Sequence, residues 1–205
     1  MELVNYLKQK YDLNTPIFIN DIEIDGVSSD NIRQCFSRLV KNKLIKRYVN
    51  GIYYFPKKTI IGESTLSFED VIFRKYINAD SKIIGYYTGL SFLNKLGMTT
   101  QIPNVIEVTT NIEKSKKRDI NVKDRKIILR RGKVLINNDN YKILQFLDIF
   151  NQVELYQVKE NYDLLKCYIL NNKFKKDDLQ ELLPKYSKKT INLIVESGLI
   201  YEFAS

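Results

Sequence analysis

Ser28-Ser29-Asp30-Asn31-Ile32-Arg33-Gln34-Cys35-Phe36-Ser37-Arg38-Leu39-Val40-Lys41, followed by Leu44-Ile45-Lys46-Arg47-Tyr48-Val49-Asn50-Gly51-Ile52-Tyr53-Tyr54-Phe55-Pro56, is the stretch whose reading decides the fold. At 100° per residue, Ile32, Cys35, Phe36, Leu39 and Val40 fall on one stripe, which predicts an amphipathic helix from about 29 to 42. Ser28 or Ser29 supplies its N-cap, and Asp30 suits the positive end of the helix dipole. The opposite side carries Asp30, Gln34, Ser37 and Lys41, flanked by Asn31, Arg33 and Arg38. Those amide, hydroxyl and guanidinium groups are the donors and acceptors that base edges and phosphates require, rather than the Glu–Lys pairs of a merely solvated helix. Behind the helix, two β-prone runs joined through Asn50-Gly51 predict a hairpin.

Working outward, Leu3, Val4, Leu7 and Tyr11 recur at helical spacing and predict a helix over 2–11, broken by Asn14-Thr15-Pro16. A short helical turn is expected over Phe18–Ile22, and Gly26 forces another turn. Three helical pieces and a hairpin, in that order, describe a winged helix-turn-helix over residues 1–60. In that arrangement the helix at 29–42 enters the major groove of double-stranded DNA, with Lys46, Arg47 and Asn50 on the wing. The same fold also serves as a protein-docking module. The basic, polar outer face and wing favour DNA.

Residues 61–205 read as a mixed α/β domain ending in a helical bundle, so the fold class is α+β. Lys57-Lys58 and Gly62 suggest a linker, and Ser67 can cap a helix carrying Val71, Ile72 and Tyr76. Ile83-Ile84-Gly85 leads into a helix bearing Leu90, Leu93 and Leu96, which Gly97 is placed to close. Pro103 precedes a strand over 105–110. Arg118–Val122 and Lys126–Arg130 look like two strands around a Lys123-Asp124 turn. Leucine and isoleucine spacing then predicts helices around 141–149, 164–169 and 179–183, and a last one capped by Ser187.

Charge locates a second candidate surface. The net charge of +9 lies wholly in the first two thirds, because residues 136–205 carry nine basic and ten acidic side chains. Residues 114–133 hold ten basic side chains against Asp119 and Asp124. Lys114, Lys116, Lys117, Arg118, Lys126, Arg130, Arg131 and Lys133 form a candidate contact for phosphate or an acidic protein partner. The alternative is a solvated hairpin edge on which lysines oppose aggregation.

Other classes are disfavoured. No apolar run approaches the roughly 20 residues that span a bilayer, and the N-terminus lacks a secretory pattern, so no membrane partner and a cytoplasmic location are expected. Cys35 and Cys167 are far apart and have no metal-ligand spacing. There is no histidine, which removes the commonest general base and metal ligand. No Walker, Rossmann or nucleophile-elbow motif occurs, and neighbouring carboxylates such as Glu69-Asp70 and Asp177-Asp178 point apart. No catalytic residue, metal or cofactor is therefore expected, and the chain reads as no enzyme. A nucleic-acid enzyme is the weakest of three readings.

The wing Gly51-Ile52-Tyr53-Tyr54-Phe55-Pro56 and the stretch IGYYTGLSFLNKLGMTTQIPNVIEVTTN (84–111) resemble AbiEi-type antitoxins of bacterial type IV toxin–antitoxin systems. Leu96-Gly97-Met98-Thr99-Thr100-Gln101-Ile102-Pro103 is the most specific part and resembles a Leu-Gly-Leu-Ser-Thr-Gln-Val-Pro run of one branch. Met98 and Thr99 depart from it conservatively. The similarity covers about residues 30–150. It implies an antitoxin that represses its own operon by binding promoter inverted repeats and counters a neighbouring nucleotidyltransferase toxin in phage defence. DNA recognition then falls to Ser29, Asn31, Arg33, Gln34, Ser37 and Arg38, with Lys46, Arg47 and Asn50 on the wing. A stand-alone winged-helix regulator is the alternative.

Overall fold

The computed structural model describes residues 2–203. They form a mixed α+β chain that divides into two compact units, one up to Lys75 and the other from Tyr76. The first unit opens with α1 (Glu2–Lys10), whose Leu7 is fully buried. Next come β1 (Ile17–Phe18), a 3-10 turn at Ile19–Asp21, α2 (Ser29–Lys41), β2 (Lys46–Val49) and β3 (Ile52–Tyr54). The strands pair antiparallel in the order β1-β3-β2.

The sequence stripe explains α2. Ser28 Oγ accepts from the Asn31 N–H at 3.3 Å, satisfying one of the unpaired first-turn donors. Ile32, Phe36 and Leu39 are buried, while Cys35 and Val40 lie at the edge of the stripe. The Phe36 ring sits 4.9 Å from that of Tyr53, and together with Leu7, Ile17 and Ile45 they form the unit's core. Each such fully buried side chain contributes about 1.5–3 kcal/mol.

Two details differ from the sequence expectation. Where a helical turn is expected from Phe18, Ile17 and Phe18 instead pair with Tyr53 and Ile52, and only Ile19–Asp21 turns. As a strand, this apolar pair buries both side chains and supplies hydrogen-bond partners to the open edge of β3. In the hairpin only Gly51 is left-handed (φ 81°), and a register shift between Arg47 and Val49 absorbs the resulting mismatch.

The expected linker is instead a small hairpin of β4 (Lys58–Thr59) and β5 (Gly62–Glu63). It is followed by α3 (Phe68–Ile72), which Ser67 caps by accepting from the Asp70 N–H at 3.0 Å, and by a π-helical turn at Phe73–Ile77. Leu66 and Val71 pack with Phe18, Ile52 and Tyr54. That cluster ties residues 61–75 to the first unit, although the sequence reading set its boundary at 60.

In the second unit, β6 (Asn78–Ala79) and β7 (Lys82–Ile83) form a hairpin. Then come β8 (Gly85–Thr88), α4 (Gly89–Leu96), β9 (Ile106–Thr110), β10 (Lys117–Val122) and β11 (Arg125–Arg131). Their sheet has the order β10-β11-β9-β8, in which only the β9–β11 pairing is parallel. A side chain at Gly85 would collide with the carbonyl oxygens of Tyr76 and Thr109, so β8 can lie where it does only with glycine there. Gly97 closes α4 with φ 87°.

The remaining helices are α5 (Tyr141–Ile149), α6 (Leu155–Glu160), α7 (Tyr162–Asn171), α8 (Lys176–Leu182) and α9 (Lys188–Glu196). The apolar periodicity does not mark α6, which begins with a capping box between Glu154 and Gln157. α5 packs on β8 and is the axis of the core. Its Phe146 ring lies 5.3–6.0 Å from those of Phe150, Tyr168, Phe174 and Phe203. Among the described residues no helix is long and apolar enough to cross a membrane.

Phe36→Ala should destabilise the first unit by about 3–5 kcal/mol, the range for emptying a packed aromatic site. Urea unfolding followed by circular dichroism measures this, and a loss below about 1 kcal/mol would mean that α2 does not depend on the Phe36–Tyr53 contact.

Candidate functional site

The outer face of α2 is open to solvent along its length. Ser29, Asn31, Arg33 and Gln34 are exposed on its first half, and Ser37, Arg38 and Lys41 on its second. Arg33 pairs with Asp30 at 3.1 Å, an exposed i,i+3 contact that orients the guanidinium at little energetic gain. On the hairpin, Arg47 lies over the Tyr53 ring at 5.8 Å and Asn50 is exposed. Lys46 differs from the expectation of an available wing cation: its ammonium contacts Glu63 at 2.8 Å. That hydrogen bond holds the Lys46 pKa above its ordinary value of 10.5.

The basic ribbon is divided by the acids around it. Arg118 meets the buried Glu113 at 2.8 Å, and Lys126 meets Asp119 at 2.6 Å. Arg130 directs both Nε and Nη2 at one oxygen of Glu107, at 3.2 and 2.8 Å. Glu107 can stand there because Gly89 has no side chain to occupy the space. Lys114, Lys116 and Lys117 are exposed, and Arg131 donates to the Lys114 carbonyl at 3.4 Å. Among the described residues, Lys116, Arg131 and Lys133 form no ion pair.

Register gathers part of this ribbon into a cleft. Tyr86 on β8 stands opposite Thr109 on β9, which stands opposite Arg130 on β11, so one row of side chains crosses three strands on one face. The row ends in a cleft of about 500 Å3 whose rim includes Lys116, Arg131 and Lys133. At its base is Asp148 of α5, which is buried. Its Oδ2 accepts from the Tyr86 hydroxyl at 3.0 Å and from those of Thr88 and Thr109 at 3.3 Å each. Its Oδ1 accepts from the Asn151 amide at 3.2 Å.

Burial pushes the Asp148 pKa above its ordinary 3.8, opposed by the Lys133 charge and by the three hydroxyls. Burial likewise lowers Lys133, against the pull of Asp148. The Lys133 ammonium sits 3.5 Å from the centre of the Tyr186 ring, a cation–π contact that compensates part of its lost hydration. Tyr86 and Tyr186 are raised by burial and then by the Asp148 charge, so both remain protonated hydroxyls. Among the described residues, no three His, Cys, Asp or Glu side chains converge on a metal-sized site. Cys35 and Cys167 are free thiols.

Of the residues at this cleft, the sequence points to Lys116, Arg130, Arg131 and Lys133 but not to Tyr86, Thr88, Thr109, Asp148 or Asn151. The one available signal was Asp148 itself, the single charged residue in the apolar run Ile143–Phe150. The model of a family described as "Family of unknown function (DUF6088)" matches residues 5–163, spanning most of the chain. No curated protein matches it.

Because the native pKa of Asp148 is raised, the folded chain holds that proton more tightly than the unfolded one, and stability falls as pH rises between the two values. The stability difference between the wild type and Asp148→Asn should therefore shift against the wild type as pH rises from about 3, and level off once Asp148 is ionised. A difference that stays flat up to about pH 8 in urea titrations would overturn this account of Asp148.

Proposed function

This chain belongs to the DUF6088 family, and we propose that its first unit is a winged helix-turn-helix that binds double-stranded DNA. The observation that supports the reading is the solvent face of α2, which presents Asn31, Arg33, Gln34, Ser37 and Arg38 side by side beyond a buried apolar stripe. The three-stranded sheet behind α2, ending in the hairpin with Arg47 and Asn50, is the scaffold that such a reading helix requires. Arg33 and Gln34 carry the paired donors and acceptors that discriminate guanine and adenine in the major groove. Arg38 and Lys41 supply phosphate contacts, and Arg47 a wing contact.

The second unit gives the protein its further role, that of an antitoxin countering a nucleotidyltransferase toxin while the first unit represses their shared promoter at inverted repeats. This part of the proposal is supported by the resemblance of residues 84–111, and within it 96–103, to AbiEi-type antitoxins. A stand-alone regulator is the second reading. The cleft over Asp148 favours it, since a regulator without a toxin partner has use for a small-molecule site.

Arg33→Ala combined with Arg38→Ala should abolish sequence-specific binding to the protein's own promoter while leaving the fold intact. Each lost base contact is worth about 1–3 kcal/mol, and the lost phosphate contact should flatten the salt dependence. Mobility-shift titration against promoter and scrambled duplexes measures both, and unchanged preference would rule out α2 as the reader. Co-expression with the adjacent gene separates the two roles of the second unit: rescue of a growth defect supports the antitoxin, and a harmless neighbour supports the stand-alone regulator.

A further inference from the structure

We propose that the cleft over Asp148 is a binding site for a phosphate-bearing small molecule of the nucleoside monophosphate class. The inference goes beyond DNA binding and stands without it, because every group it uses lies in the second unit.

The rim argues for an anion. Arg130 is already neutralised by Glu107, which leaves Lys116, Arg131 and Lys133 against the single carboxylate Asp148. Three cations over one acid leave a surplus that suits a phosphate monoester dianion, which charge-assisted hydrogen bonds from lysine and arginine hold well. A bare surface cluster would offer the same charge but no concave site. Here the cations stand over an open cleft of about 500 Å3, within the range of small-molecule sites and more than a phosphate ion fills.

The base of the cleft argues for what the rest of the ligand carries. Four donors surround Asp148, the arrangement an ionised carboxylate requires. Thr88 and Thr109 each direct their one hydroxyl proton at it, which leaves their lone pairs to offer, while the Tyr86 oxygen also meets the hydroxyls of Thr109 and Tyr186. The Asn151 amide also donates to Asp148, which leaves its carbonyl oxygen as an acceptor, and Gln152 at the wall carries both functions. Asp148 thus sets the polarity of the site: acceptors at the base, cations at the rim. A ligand that matches both ends has a phosphate at one end and N–H or O–H donors at the other, as a nucleotide does in its base edge and ribose.

The test is isothermal titration of the full chain with AMP, GMP, CMP and UMP, and with inorganic phosphate and ribose 5-phosphate as controls. Saturable binding of at least one nucleotide, about tenfold or more tighter than both controls, is expected. Arg131→Gln with Lys133→Gln should weaken it by about tenfold or more, as two charge-assisted contacts are lost. Arg33→Ala with Arg38→Ala should leave it unchanged, which separates this site from the proposed DNA reader. Failure of all four nucleotides to bind, equal binding of inorganic phosphate, or unchanged affinity in the Arg131/Lys133 double variant would each overturn the proposal.

Discussion

A carboxylate set in the last turn of an apolar helix must be met by donors or lose its charge, and in this chain that requirement joins the two layers of the second unit. Asp148 projects from α5, and its donors come from β8, β9 and the turn after α5: Tyr86 and Thr88 from the first strand, Thr109 from the second, and Asn151 from the turn. These bonds form at one rotation and one height of the helix over the sheet. The aromatic packing of Phe146, on another side of α5, holds the helix against the rest of the bundle. Apolar packing supplies the stabilisation, and the buried acid supplies the specificity of placement.

The sheet is arranged to deliver those groups. Gly85 lets β8 pass where any side chain would strike backbone, and Gly89 leaves room for Glu107 beside the start of α4. Glu107 in turn holds Arg130 at the end of the Tyr86–Thr109–Arg130 row. Two missing side chains therefore decide where an acid and a guanidinium meet. The result is that within the basic window Arg118, Lys126 and Arg130 are neutralised, while Lys116, Arg131 and Lys133 meet at one rim.

The first unit is organised differently. Its core is an aliphatic and aromatic cluster under α2, and the buried polar and charged side chains among the described residues all belong to the second unit. The face of α2 is not needed for folding, and a surface that folding does not constrain can be given over to recognition. Lys46 is the exception. Its contact with Glu63 ties the β2–β3 hairpin to the following β4–β5 hairpin and removes it from the set of available cations there.

How much of this was legible in the sequence follows from the range of the forces involved. The sequence alone determined α1, α2 with a serine cap at 28 or 29, the β2–β3 and β10–β11 hairpins, the Gly97 stop of α4 and the cap of α9. Each depends on residues a few positions apart: a 3.6-residue stripe, a capping hydroxyl, a turn glycine. It determined equally that the face of α2 would be polar and basic. Only the tertiary structure decided that Ile17 and Phe18 form a strand, since the reason is the edge of β3, over thirty residues further on. Only the tertiary structure could sort the ten cations of 114–133, because the acids that neutralise them reach them through strand pairing and close packing. The cleft was invisible for the same cause. Tyr86 and Thr109 carry no local signal and Asp148 only that of a lone charge in an apolar run; they become a site when the β8–β9 register and the seat of α5 bring their oxygens within hydrogen-bonding distance.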